Sequence, residues 1–340
     1  MADGLVDPIE LTRTLVRLES ETGNEGPVVA FLAGALETLG YHVTLQPVTA
    51  GRDNIYAWRE APEVVFSTHL DCVPPYVPLH EDETYLHGRG TCDAKGLAAA
   101  MVAATERLAA AGERRVGLLF VVGEENGSDG AMRAKELTPK GRFLINGEPT
   151  ENRLSIGQKG TLKVVLECEG RAAHSGYPEL GRSAIDPLLD TLERLRRMPL
   201  PVDPMLGPGT LNIGIVEGGV APNVIAPAAR AELLFRLVGP SDQLRRSVLA
   251  LASEGVLVTF PTELPYFKNP VAPPPGWDTT VVNYASDLPF HAAWGQGFQL
   301  GPGSIRVAHT SEERISKAEL HQGMELYVRL ARDLLGEVSR

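Results

Sequence analysis

Residues 116–125 read VGLLFVVGEE, an apolar run that ends abruptly in two carboxylates. A continuous run of this length, rich in branched and aromatic residues, fits a strand buried on both faces, as in a sheet covered by helices. Two further runs end in the same way. EVVFST (63–68) leads into His69, Leu70 and Asp71, and RFLING (142–147) leads into Glu148. Between them LAAAMVAATERLAAAG (97–112) reads as a helix, and PIELTRTLVRLES (8–20) and GPVVAFLAGALETLG (26–40) read as amphipathic helices before the first run. Helices alternating with buried strands predict an α/β domain with a mixed, largely parallel sheet.

From about Gly160 the pattern changes. In TLKVVLECEG (161–170) Leu162, Val164, Leu166 and Cys168 recur with period two, which predicts a sheet with one buried face. The order that follows is helix (183–198), strand (210–219), strand (230–238), helix (241–254) and strand (256–264), the split βαβ order of a ferredoxin-like α+β unit. The Pro-rich PVAPPPG (270–276) reads as a linker, after which α/β character resumes. The expected organisation is a catalytic domain in two parts, 1–157 and 268–340, interrupted by a smaller domain at 158–267. A chain of 340 residues is long enough for two cores.

A formal net charge of −11 and a pI near 5.3 oppose attraction to nucleic acid or an anionic membrane. A small-molecule substrate fits better. The opening MADGLVDPIELTRTLV has no basic segment followed by an apolar core, so a cytoplasmic enzyme is expected. Cys72, Cys92 and Cys168 are too few, and wrongly spaced, for a disulfide framework or a cysteine zinc module.

In open α/β sheets ligands gather beyond the carboxyl ends of the strands. The polar residues placed there are His69, Asp71, Glu124, Glu125 and Glu148; Asp93 lies in the Gly-rich turn GRGTCDAKG (88–96), and His309 follows SIRVA (304–308). Imidazole and carboxylate together suit zinc, and a site without thiolates can stay open to water and substrate. Asp71 is placed to fix the His69 tautomer. Glu124 and Glu125, adjacent in an extended segment, would point opposite ways and take separate roles, one facing metal and one acting as general base.

The segments STHLDCVPP (67–75), GRGTCDAKG, VVGEEN (121–126), INGEPT (145–150), AAHSG (172–176) and GPGSIRVAHTSEE (301–313) together resemble the ordered motifs of the M20 metallopeptidase and deacylase family. The resemblance implies a zinc-exopeptidase-like fold and two Zn²⁺ ions per subunit, with Co²⁺ or Mn²⁺ as possible substitutes. His69 and Glu148 would hold one ion, Glu125 and His309 the other, and Asp93 would bridge them, with Glu124 as general base. It implies a homodimer formed through the inserted domain, and gives His174 a role at the oxyanion, in its own or the partner's site. Arg236, with Asn223, would hold a substrate carboxylate.

Within the family, TLNIGIVEGGVAPN (210–223), VVNYASDLPF (281–290) and GPGSI are most similar to acetylornithine deacetylases of arginine biosynthesis. That similarity makes Asp287 the expected partner of a distal ammonium, and Gly301 a place where backbone approaches substrate. Other substrates of the same chemistry are an N-succinyl diamino acid, a dipeptide or a carrier-linked amino acid. A catalytically silent binding protein is the reading of another class. The stretch between His69 and Asp93 is shorter than the family pattern, Ala94 replaces a common methionine and Ser311 a common proline.

Overall fold

The computed structural model describes residues 6–338, which fall into two compact units. The first contains 1–156, 269–280 and 286–340; the second contains 157–268 and 281–285. The boundary differs from the sequence expectation at 281–285, which returns to the second unit. There the Lys159 amide donates to the Val282 carbonyl at 3.2 Å, and Val282 is buried.

The first unit is built on a sheet whose neighbours run His42–Thr49, Arg52–Trp58, Val116–Val121, Val64–His69, Phe143–Asn146 and Gln296–Gln299. The first two pairings are antiparallel and the next three are parallel. The apolar runs 64–66 and 116–121 are wholly buried, as their continuous composition requires. Four parallel strands therefore end on one side, and their carboxyl ends release His69, Glu124, Glu148 and Gly301 into the same region.

Helix Lys95–Ala110 is buried almost all round, because its Ala-rich surface lets neighbours approach from every side. Helices Pro8–Arg17 and Lys317–Val338 pack against it. Pro8 at the first helical position and the Asp7 carboxylate accepting the Ile9 amide at 2.9 Å start the first of these. The buried helix begins two residues after Asp93, so its packing helps fix where that carboxylate stands.

The second unit is a four-stranded sheet in the order Thr210–Gly218, Ala228–Leu237, Gly160–Glu169, Val256–Leu264, with every pairing antiparallel. Numbered along the chain this is the 4-1-3-2 order of the ferredoxin-like arrangement. Its period-two residues form a separate core: Leu162, Val164 and Leu166 meet Leu233 and Phe235, with Leu188, Leu192 and Leu195 of helix Ile185–Arg197. Phe235 is fully buried there. Phe235→Ala is expected to destabilise the protein by about 3–5 kcal/mol in urea denaturation. A loss below about 1 kcal/mol would contradict this core assignment.

Candidate metal centre

His69 ends its strand with the ring held from behind. Its Nδ1–H donates to the Asp71 carbonyl at 2.9 Å; a carbonyl only accepts, so Nδ1 carries a proton and Nε2 faces the site. The closer orienting group is thus the Asp71 backbone rather than its carboxylate, which lies 3.4 Å from Nδ1. The carboxylate has additional work. It accepts the Glu124 and Glu125 amides, each at 3.1 Å, and the Thr22 hydroxyl at 2.7 Å. Asp71 therefore ties the His69 strand end to the loop bearing both glutamates.

That loop corrects one expectation. Glu124–Asn126 form a 3-10 turn, not an extended segment, following Gly123 at φ +76°. Successive side chains on such a turn still diverge, by a third of a revolution rather than a half. Glu125 turns to His309, with Oε1 2.9 Å from Nε2. A β-carbon on Gly123 would fall 2.0 Å from Asp129 Oδ1 and 2.4 Å from Arg52 Nη2, so only glycine fits.

Asp93 stands between the two imidazoles, Oδ1 3.0 Å from His69 Nε2 and Oδ2 3.2 Å from His309 Nε2. Two triads follow, His69–Asp93–Glu148 and Asp93–Glu125–His309, each with one donor atom per residue within 4.8 Å of the others. Asp93 belongs to both. His309 reaches its place from backbone at φ +63°, a conformation costly outside glycine and tolerated where a side chain must be aimed.

Charge in the site is unbalanced. Burial pushes Glu124 and Glu148 well above the usual carboxylate range; His69 opposes the shift, and neighbouring carboxylates add to it. Asp93 goes the other way. Burial opposes its ionisation, but hydrogen bonds from His309 and His69 outweigh that and hold it low. The Asp93 and Glu125 contacts raise His309 to about 10. A hard, oxygen-rich donor set with too little positive charge fits divalent cations. Cys72 and Cys92 are not part of it: both are buried, and burial pushes the Cys72 thiol up to about 12.

Asp287 and Gly301 both lie inside the first unit. Asp287 is buried just before the 3-10 turn Leu288–Trp294, with neither carboxylate oxygen hydrogen-bonded at normal distance, and burial raises it to about 7. Gly301 is buried too. A β-carbon there would meet Leu97 Cδ2 at 2.5 Å and the Glu148 carbonyl at 2.6 Å, so its glycine serves the packing beneath Glu148.

The other named residues lie in the second unit. His174 is exposed; its Nδ1 accepts the Gly176 amide at 3.1 Å, which places the remaining ring proton on Nε2. Exposed Asn223 supports it through its carbonyl, which accepts the Ser175 amide at 3.0 Å. Arg236, opposite Thr161 and Thr210 in the sheet, has no carboxylate partner among the described residues, whereas Lys163 and Arg230 on the same strands pair with Glu232. Sequence reading missed Lys159. It is buried, donates to the Pro208 carbonyl at 2.7 Å, and is lowered by burial and by the nearby Arg236 charge.

Two histidines and several carboxylates, gathered beside the carboxyl ends of the parallel strands, make a donor set for a pair of metal ions. The profile of peptidase family M20/M25/M40 matches residues 65–333, and the chain belongs to that family. It is a metal-dependent hydrolase of amide bonds. A peptidase M20 domain-containing protein of Schizosaccharomyces pombe is 38% identical over 340 residues, 95% of this chain and 83% of that one. A probable carboxypeptidase of Aspergillus clavatus is 38% identical over 374 residues, covering 95% and 81%. Among solved structures, a tripeptidase from Staphylococcus aureus subsp. aureus Mu50 matches with a TM-score of 0.79 at 24% identity, over 96% of this chain and 98% of that one, a likeness of fold. Among the described residues no helix is long and apolar enough to cross a membrane.

Metal loading has to displace protons from the raised His309, His69 and Glu148. Affinity for zinc is therefore expected to rise with pH between about 5.5 and 8.5, with proton release visible by calorimetry in buffers of different ionisation heat. An affinity flat across that range would contradict these protonation states.

Proposed function

We propose that this protein is a dinuclear metal exopeptidase, zinc being the expected ion and cobalt or manganese acceptable substitutes, that hydrolyses an amide bond next to a free carboxylate. The observation that carries the reading is Asp93, one carboxylate offering one oxygen to each of two histidines. The fungal relatives bearing the name probable carboxypeptidase support the substrate side. So does Arg236, a half-buried guanidinium with no acidic partner among the described residues of a chain of net charge −11. A substrate carboxylate supplies the missing partner, with Lys159 reinforcing the field; Asn223 follows Gly218, whereas Arg236 pairs with Thr210 at the other end of that strand, so the two do not act side by side within one unit.

His69, Asp93 and Glu148 would hold one ion and Asp93, Glu125 and His309 the other. Bound there, the ions supply Lewis acidity toward a water molecule and the scissile carbonyl. Glu124 holds the proton of the reaction: unpaired with either histidine and raised in pKa, it is suited to take a proton from water and return it to the departing amine. His174 offers an Nε2–H to the oxyanion, in its own subunit or across a homodimer formed through the second unit. An exposed edge strand, Thr210–Gly218, with Ile215 and Val216 exposed, supports that assembly.

The second reading is deacetylation of N-acetylornithine, whose amide and carboxylate present the same chemistry. Asp287, a buried carboxylate with no hydrogen-bond partner of normal geometry among the described residues, favours it, since a distal ammonium would satisfy that group. Parallel assays on N-blocked dipeptides and N-acetylornithine separate the two. Glu124→Ala is expected to keep its metal and lose roughly 10²- to 10⁴-fold in kcat on whichever substrate turns over. Full activity in that variant removes Glu124 from the mechanism; loss of metal exchanges its role with Glu125.

A further inference from the structure

Arg89 and Glu313 lie in the motifs that deliver Asp93 and His309 and belong to neither triad. Arg89 is the second residue of the turn GRGTCDAKG, and Glu313 closes the segment AHTSEE. Both are buried, with side-chain exposures of 3% and 0%. Arg89 Nη1 donates to Glu313 Oε2 at 2.5 Å. Glu313 Oε1 accepts the Gly90 amide at 2.8 Å and lies 3.4 Å from the Cys92 amide. The Gly88 amide donates to the Glu313 carbonyl at 2.9 Å. A single residue, four positions after His309, thus holds the whole turn that ends at Asp93.

We propose that Arg89 and Glu313 are positioning residues, a buried clasp that sets the spacing of Asp93 and His309 and so fixes the site of the second ion. The proposal rests on the dinuclear reading above. A buried ion pair is poor value as a stabiliser, because desolvating both charges offsets most of their attraction, and an apolar pair of similar shape often serves stability as well. What this pair provides is direction. The Glu313 carboxylate accepts from side chain and main chain together, and the planar Arg89 guanidinium also donates through Nε to the Pro75 carbonyl at 3.3 Å. The turn cannot move relative to the His309 segment without breaking several of these bonds at once. His309 needs that support, being exposed and held at a positive φ. His69 and Glu148 stand on the ends of sheet strands and do not depend on the clasp.

The test is calorimetric titration of the metal-free full-length protein with zinc, with circular dichroism and thermal melting to verify folding. Wild type is expected to bind two ions, and His309→Ala identifies the one belonging to the Asp93–Glu125–His309 triad. Glu313→Gln and Arg89→Lys are each expected to weaken that same ion by about 10- to 100-fold and the other, which shares Asp93 but keeps His69 and Glu148 on their strand ends, by clearly less. If Glu313→Gln does not fold, Arg89→Lys, which keeps the charge and removes only the fork, carries the test. Folded variants that bind both ions as wild type does, or lose both equally, overturn the clasp. A wild type that binds no divalent ion overturns the dinuclear reading itself.

Discussion

Asp93 presents one oxygen to His69 and the other to His309, and most of the first unit can be understood as the means of holding it there. A carboxylate in this position is fully buried among Glu124, Glu125 and Glu148, an arrangement that repels itself and gains nothing from water. It persists because each group stands on a support that cannot easily yield. His69 ends a strand buried on both faces, Glu148 follows another, and Asp93 precedes a helix packed on nearly every side. Asp71 binds the backbone of the glutamate loop to the His69 strand. Rigid elements make the crowding possible, and the crowding creates the demand for cations.

Much of this was legible in the sequence for a simple reason. Apolar runs that stop at a carboxylate or histidine mark strand ends, and strand ends in a parallel sheet converge on one edge. Of the candidate ligands, His69, Glu125 and Glu148 were visible in this way, whereas Asp93 and His309 lie in turns and follow no such run. The split βαβ order was visible because a one-sided sheet alternates with period two while a two-sided sheet does not.

What stayed hidden depends on backbone direction and on long-range neighbours. Nothing in the pattern distinguishes the Asp71 carbonyl from its carboxylate as the partner of His69. Nor does the pattern show that Gly301 is hemmed in by Leu97 and the Glu148 carbonyl, residues far away in the chain. Lys159 escaped notice because a lysine at the start of a strand is ordinarily solvated; only the pairing of Gly160 with Leu237 brings it beside Arg236. The return of 281–285 to the second unit is likewise a matter of tertiary contacts, among them the hydrogen bond from the Lys159 amide to the Val282 carbonyl. The chemistry is thus written locally, and the substrate preference through contacts that local pattern does not encode.

The claim on which everything else rests is that two ions share Asp93. Anomalous diffraction at the zinc edge from crystals of the metal-loaded protein tests it most directly. The account predicts two peaks on either side of the Asp93 carboxylate, one against His69 and Glu148 and one against Glu125 and His309. A single peak, or two peaks of which either lacks contact with Asp93, would contradict it.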